Sequence, residues 1–547
     1  MKRWLDLLPA VPAAWLAGAV VAAFFTRLSY PFDLEWMEGG MLAHAWRLER
    51  GLPLYSDPTP DWIPYVYPPG YSAVLAAVPG DVSYSAGRLI SWMGTLGAAS
   101  GLAHLVWRQG KSLALGLVAA GLFLGTYRAS GAFLDLVRPD ALAMGLAAWA
   151  LSLSLDDRRG ARVAGGLLLC AAFTVKHNFA AFGVPLALGL WAWKGWREAL
   201  RFGLSAAVPA LLFTAYLQWR SGGGFLLYLI EVPRSHPMAA LRGMPGAPGE
   251  LGHWLGPAIW IGGLGLAATA QRRFDKVHPF VGWGVAAVVG LTAAAWAAVQ
   301  PAVAGSATPH VAVMAATFFA LGAAVGAAVV AALSSMVEGR VDGPWWTAFG
   351  VLLTAMFLAS LMRAHNGGFI NVLIPTHWVL LALAGVVLGQ LRQAFPSTAV
   401  AAATALALAV QGVWLGTLTD LEPMKPTDGD HAAGAEVVAK MVEHCDGPIW
   451  SPYFAWLPVY AGQDPSLHLI SLWDVDHKKG PLSAPAGSVK KAVRDHHYAC
   501  VLEGGRQPLA YGVPKAYRSV ERFQFPGADM KPKTGWPVRP RTLLVPR

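Results

Sequence analysis

Residues 33–71, DLEWMEGGMLAHAWRLERGLPLYSDPTPDWIPYVYPPGY, decide how this chain is read. The stretch opens with three carboxylates, Asp33, Glu35 and Glu38, continues through an Arg-bearing segment and closes on a run rich in Tyr and Pro. Residues 7–25, just before it, are apolar and follow Lys2 and Arg3. Signal peptides have shorter apolar regions, so this run reads as an uncleaved first membrane span. The acidic stretch then starts at a membrane surface. Met41, Leu42, Ala45, Trp46 and Leu48 form an apolar arc, interrupted by Glu49, with His44, Arg47 and Arg50 opposite. That pattern predicts a helix lying in the interface, stopped at Gly51. Tyr65, Tyr67, Pro68, Pro69, Gly70 and Tyr71 make a stiff aromatic return to the membrane, where single tyrosines also serve in the ordinary interfacial belt.

Outward from this stretch the apolar pattern recurs. Of 547 residues, 55% are hydrophobic and 14% charged, with mean hydropathy +0.44; a soluble domain carries about a quarter charged residues. Thirteen segments read as spans: 7–26, 84–106, 112–127, 140–155, 162–175, 179–193, 202–218, 254–270, 279–299, 310–334, 346–362, 371–390 and 397–416. A membrane β-barrel would show short alternating segments instead. The net charge of +10 does not point to nucleic acid, because many Lys and Arg sit in short loops between spans. Arg108, Lys111, Arg158, Arg159, Arg162, Lys194, Arg197, Arg201, Arg272, Arg273, Lys276, Arg340 and Arg392 fall on one side, as the positive-inside asymmetry requires of the cytoplasmic face. The first loop (27–83), 127–140, 176–178, 219–253, 300–309, 363–371 and the tail then share the external face. Residues 322–326, GAAVG, suit close helix packing.

The chain divides into a transmembrane part, 1–416, and a tail, 417–547, expected to fold as a small external α/β domain. Its amphipathic stretch 432–442 reads as a helix, and 448–450 and 498–502 read as strands. Cys170 lies in a span; Cys445 and Cys500 lie in the tail, where an oxidising compartment would let them pair.

The span centres are nearly free of charge, unlike those of ion-coupled transporters. The ionisable groups gather at external span ends instead. Asp33, Glu35 and Glu38 are close enough to share a site; grouped carboxylates repel, one pKa rises, and a general base results. They could also hold a divalent cation through oxygen, or cap the helix starting near Gly39. Arg138 could hold a phosphate, with Asp140 beside it to orient it, or an Asp–Arg pair could simply pin the loop that also carries Tyr127, Arg128 and Asp135. Lys176, with His177 and Asn178, could neutralise a phosphate or snorkel to lipid headgroups. Arg363, His365, Asn366 and Asn371 form a further polar, Gly-flexible loop.

The order of these features resembles a known group. A first span, the acidic residues 33–35, an interfacial helix, GLPLYSD at 51–57 and YPPGY at 67–71 are similar to the GT-C membrane glycosyltransferases, in particular the bacterial protein O-mannosyltransferase and lipid A aminoarabinose transferase group. VRPD at 137–140 and GGFIN at 367–371 carry the same resemblance. The resemblance covers residues 1–416; the tail carries no motif. It implies a polyprenyl-phosphate-linked sugar donor, a lipid, glycan or protein acceptor, transfer on the external face of a bacterial inner membrane, and a catalytic first-loop carboxylate. The group's usual Asp–Glu pair is Asp–Leu–Glu here, and Asp33 matches the leading position. The expected roles are Asp33 or Glu35 as base, Arg138, Lys176, Arg363 and His365 at the donor phosphate, and Glu38, Tyr65, Tyr67, Asp140, His177 and Asn371 around the substrate. A transporter or flippase of lipid-linked glycans is the alternative; its span centres would carry charge.

Overall fold

The computed structural model describes residues 3–273, 278–300, 311–338, 341–476, 480–482, 485–504, 511–525 and 530–547. Residues 301–309 of the expected external loop, with Lys276 and Arg340, fall outside them.

Each of the thirteen expected segments is helical. The helices are α1 (Leu7–Leu28), then α2 (Glu38–Glu49) and α3 (Gly70–Ala76) in the first loop, followed by α4 (Tyr84–Gly110), α5 (Leu113–Gly125), α6 (Pro139–Ser154), α7 (Arg159–Val175), α8 (Gly183–Lys194), α9 (Trp196–Arg220), α10 (Ala247–Arg273), α11 (Pro279–Ala298), α12 (Val311–Glu338), α13 (Gly343–Ala364), α14 (Ile374–Ala394) and α15 (Thr398–Leu418). Among the described residues, eight helices are long and apolar enough to cross a membrane. Small residues set the close approaches: an ideal Cβ at Gly145 would meet the Gly94 carbonyl oxygen of α4, within contact distance, so α4 and α6 touch through backbone. The 322–326 run packs α12 against Gly290 and Ala286 of α11.

Contacts between helix ends sort them into two faces. At one face Arg27, ending α1, pairs with Asp135 between α5 and α6, Arg88 of α4 pairs with Glu38, Lys176 after α7 pairs with Asp140, and Arg363 of α13 pairs with Glu250 of α10. At the other, Asp6 meets Arg392, Arg108 meets Asp156, Lys194 meets Asp157, and Arg162 meets Glu198. The basic loops of the sequence gather at this second face.

The tail adds α16 (Asp428–His444), opened by a Thr427–Asp430 capping box, α17 (Leu469–Val475) and α18 (Pro485–Arg494). Its four strands are β1 (Ile449–Trp450), β2 (Cys500–Gly504), β3 (Tyr517–Arg522) and β4 (Pro540–Pro546), in the order β1-β2-β4-β3, with β1 parallel to β2 and the other pairs antiparallel. Cys445 and Cys500 form a disulfide.

The tail does not stand apart. Tyr460 donates to the Pro31 carbonyl, Tyr498 to Pro60, and Arg27 to Met424, while Phe32 packs on Gly434. First loop, tail and bundle share one apolar core. This corrects the reading of α2 as an interfacial helix: residues 38–45 are all buried, and only its last turn reaches the surface. On the side the sequence pattern left polar, His44 is covered by Trp62 and Tyr65 of the first loop, while Arg50 stays exposed.

Candidate functional site

Glu38 organises the first loop. Its Oε2 accepts the Leu34 amide at 2.6 Å and Arg88 Nη2 at 2.8 Å; its Oε1 accepts Arg88 Nε at 3.1 Å and the Val137 amide at 2.8 Å. Arg88 also donates to the Arg27, Tyr30 and Phe32 carbonyls. Both side chains are fully enclosed. With its lone pairs spent on the loop backbone and one guanidinium, Glu38 is a structural anchor, not the substrate ligand expected from the sequence. Asp135, with Arg27 and the Tyr127 hydroxyl, likewise pins its loop.

Asp33 is 2% exposed. Oδ1 accepts the Gly39 amide at 2.6 Å, and Oδ2 is buried without a hydrogen-bond partner. Burial, then the nearby Glu38 charge, push its carboxyl well above the usual range; the Gly39 amide, Tyr84 and Arg88 oppose this only in part. Gly39 suits this close approach: a Cβ would sit 3.0 Å from the Trp456 amide nitrogen of the tail and 3.1 Å from Asp33 Oδ1.

Glu35 meets Arg138. Its Oε2 lies 3.4 Å from Arg138 Nη1 and accepts the Met37 amide at 3.3 Å. Burial raises its pKa to about 7; Arg138 opposes the shift, and Glu38 and Asp140 add to it. Arg138 donates to the Tyr67 hydroxyl at 3.0 Å, lies over the Tyr67 and Phe133 rings, and keeps a buried Nε without a partner. Two residues on, Asp140 Oδ1 accepts Lys176 Nζ at 2.6 Å and Asn371 Nδ2 at 2.8 Å, while Oδ2 is buried and unpaired. The expected residues Glu35, Arg138, Tyr67, Asp140, Lys176 and Asn371 therefore form one connected cluster.

Others are placed differently. Arg363 gives its Nε and Nη2 to the two Glu250 oxygens and its Nη1 to the Gly368 carbonyl, so its donors are committed to a buried pair. His365 lies tilted against His236, with ring centroids 4.8 Å apart, and contacts the Pro233 carbonyl. His177 has a buried, unpaired Nδ1 but no contact to the carboxylates. Tyr65 is buried, with its hydroxyl on the Met37 carbonyl and its amide donating to His44 Nε2, so it braces α2 rather than offering a ring to a sugar. Among the described residues, no three His, Cys, Asp or Glu side chains are arranged to hold a metal; Glu38 is turned to Arg88, Asp33 to Gly39 and Glu35 to Arg138. A cavity of about 120 Å³ lies toward the opposite face, lined by Leu105, Trp345, Trp378 and Val386 among others, away from the carboxylates.

The sequence reading missed Arg88, although an Arg one turn inside an apolar span is a signal. It also missed the tail's share. His468 contacts the Trp36 carbonyl through Nε2 at 2.8 Å and lies edge-on to Tyr65; burial drives its pKa down to about 3, so it is neutral. Asp474, which burial pushes up to about 7 against the pull of Arg138, lies beside His236. Trp36 is ringed by Tyr453, Trp473 and Trp536. No motif announces these residues.

No known family description and no curated protein matches the sequence. Solved structures similar to it include ArnT from Cupriavidus metallidurans bound to undecaprenyl phosphate, at 16% identity over 97% of both chains with a TM-score of 0.46, and the same protein in the apo state, at 16% identity over 97% of both chains with a TM-score of 0.44.

Proposed function

We propose that this chain is a membrane glycosyltransferase of the GT-C type. It moves a sugar from a polyprenyl-phosphate-linked donor to a lipid, glycan or protein acceptor at the external face of a bacterial inner membrane. The observation that carries this reading is the Glu35–Arg138 pair at 3.4 Å, buried at a membrane face beside Asp140 and Lys176. A proton acceptor and an unsaturated cation stand side by side, which is what displacement of a phosphate by a hydroxyl or amine needs.

In this mechanism Glu35 takes the proton of the acceptor hydroxyl or amine. The freed lone pair forms a bond to the anomeric carbon, and the bond from that carbon to the phosphate oxygen breaks. The electron pair leaves with the phosphate, whose charge is met by Arg138, with Lys176 behind it. Glu35 is preferred over Asp33 as the base because it stands against Arg138 with a carboxyl near 7, poised for proton transfer, whereas Asp33 is held by the Gly39 amide at the start of α2. Asp33 holds the start of α2. The basic loops at the opposite face support a cytoplasmic assignment for that face, and the Cys445–Cys500 disulfide supports an oxidising compartment for the tail.

The test is transfer by the purified protein in detergent from a panel of radiolabelled polyprenyl-phosphate sugars to extracted membrane acceptors. Glu35→Gln is expected to lower transfer by about two orders of magnitude or more, the usual contribution of a general base. Full activity of both Glu35→Gln and Asp33→Asn would refute the carboxylate mechanism. Lipid-linked glycan moved across vesicles with no sugar transferred in detergent would replace the enzyme by a transporter.

A further inference from the structure

The tail reaches the reacting carboxylate through a short strap. The Lys533 and Thr534 amides donate to the Leu34 carbonyl at 2.8 and 3.1 Å, and Glu35 and Thr534 are paired as neighbouring strand residues. The Thr534 hydroxyl donates to the Gly131 carbonyl at 2.7 Å, which ties the strap to the connection that carries Arg138. Lys533 is held by Asp430 at 2.7 Å, and Trp536 packs edge-on to Trp36 with centroids 5.0 Å apart. Between them Gly535, at φ +76°, lies against Glu35: a Cβ there would stand 2.9 Å from Oε1, 3.1 Å from Cγ and 3.3 Å from Trp36 Cδ1.

We propose that Gly535 is a positioning residue for Glu35, its bare backbone forming the wall that presses the carboxylate toward Arg138. The inference rests on Glu35 as proton acceptor. One Glu35 oxygen faces Arg138 and the other faces the strap, so a side chain at 535 has to displace the carboxylate. The atom in the way is the far end of a flexible side chain, and it yields before the backbone does. The sequence requirement is thus double, since the left-handed φ also favours glycine.

The two requirements separate experimentally. Gly512 has φ +92°, and a Cβ there meets nothing closer than Val493 Cγ1 at 4.0 Å. Gly512→Ala therefore carries backbone strain within the same tail without touching Glu35. Wild type, Gly535→Ala and Gly512→Ala are compared in the full-length protein, each with and without Glu35→Gln. The readouts are kcat and KM for transfer, and the carboxyl titration of Glu35 by infrared difference against the Gln variant, which needs no substrate. The charges facing that carboxyl are Arg138, Glu38 and Asp140.

Gly535→Ala is expected to lower kcat by about ten-fold to a hundred-fold, the scale of an ångström misplacement, with KM little changed and the Glu35 titration moved. Gly512→Ala should do neither, and Gly535→Ala should add nothing to Glu35→Gln. Thr534→Val, which frees the strap from Gly131 without adding bulk, should move the same titration and serves if Gly535→Ala does not accumulate. An inactive Glu35→Gln beside a Gly535→Ala that behaves like Gly512→Ala, or that keeps its full effect in the Gln background, overturns the positioning role alone. A fully active Glu35→Gln removes the proton-acceptor reading and this proposal with it.

Discussion

Replacing Arg138 by Gln tests the electrostatics of the pair directly. Arg138 lies 3.4 Å from Glu35 and pulls its carboxyl down against burial, leaving it at about 7. A cation favours the ionised form, so its removal raises the pKa further, by about one to three units for a neighbour this close. If Glu35 is the base, kcat at saturating donor rises with pH as it ionises, and the acidic limb of the wild-type profile lies near pH 7. At that pH about half of the enzyme is competent; a one-unit rise leaves about a tenth, and each unit corresponds to about 1.4 kcal/mol. The limb should therefore move to the alkaline side in Arg138→Gln, with much of the activity recovered by raising the pH. Donor KM should rise as well, since a phosphate contact acts in ground and transition states alike. The assay is transfer from labelled donor across a pH series. A limb that stays in place while only KM changes would show that Arg138 does not sense the base. A limb near the ordinary carboxylate range in wild type would show that Glu35 is not buried in the working enzyme.

Three further outcomes follow from the same geometry. Glu35→Gln should unfold at higher temperature than wild type at alkaline pH: a folded pKa raised from 4.5 to about 7 stabilises the fold below pH 4.5 and loses that contribution as pH rises through 7, by up to about 3 kcal/mol. A melting point unchanged at both ends of the pH range would contradict the burial. Arg88→Met should destabilise the protein by about 3–5 kcal/mol, because Glu38 is left charged and enclosed; a variant that expresses and melts like wild type would show that the pair is dispensable. Cys445→Ser should cost about 2–5 kcal/mol in tail stability, read as faster proteolysis of the tail, and equal rates would count against the disulfide.

The spans were legible because twenty apolar residues are a property of local sequence, and the polar clusters were legible because they punctuate those spans. What each carboxylate does was not. Asp33, Glu35 and Glu38 look alike in sequence, yet one holds a helix start, one meets Arg138 and one is consumed by Arg88, and the last two roles depend on contacts with residues 50 to 103 positions away. The reading of α2 as an interfacial helix failed for a related reason: amphipathicity marks an apolar face but does not tell that Trp62 and Tyr65, further along the same loop, fold back over His44. The tail's strands β3 and β4 were missed because Arg, Glu and Pro interrupt their alternation. Strap residues such as Gly535 act through bare backbone, which leaves no chemical signature.

The pairing of the strap with Leu34 has a consequence for how the protein is made. His468 and Trp36, one of several contacts between tail and first loop, are separated by 432 positions, and the strap lies further along still. Closing so long a loop is slow and comes after local helix formation. A ribosome delivers the acidic loop first and the strap only after α15. Until then Glu35 lacks the wall that orients it, and a half-made chain in the membrane holds its carboxylates without a working site.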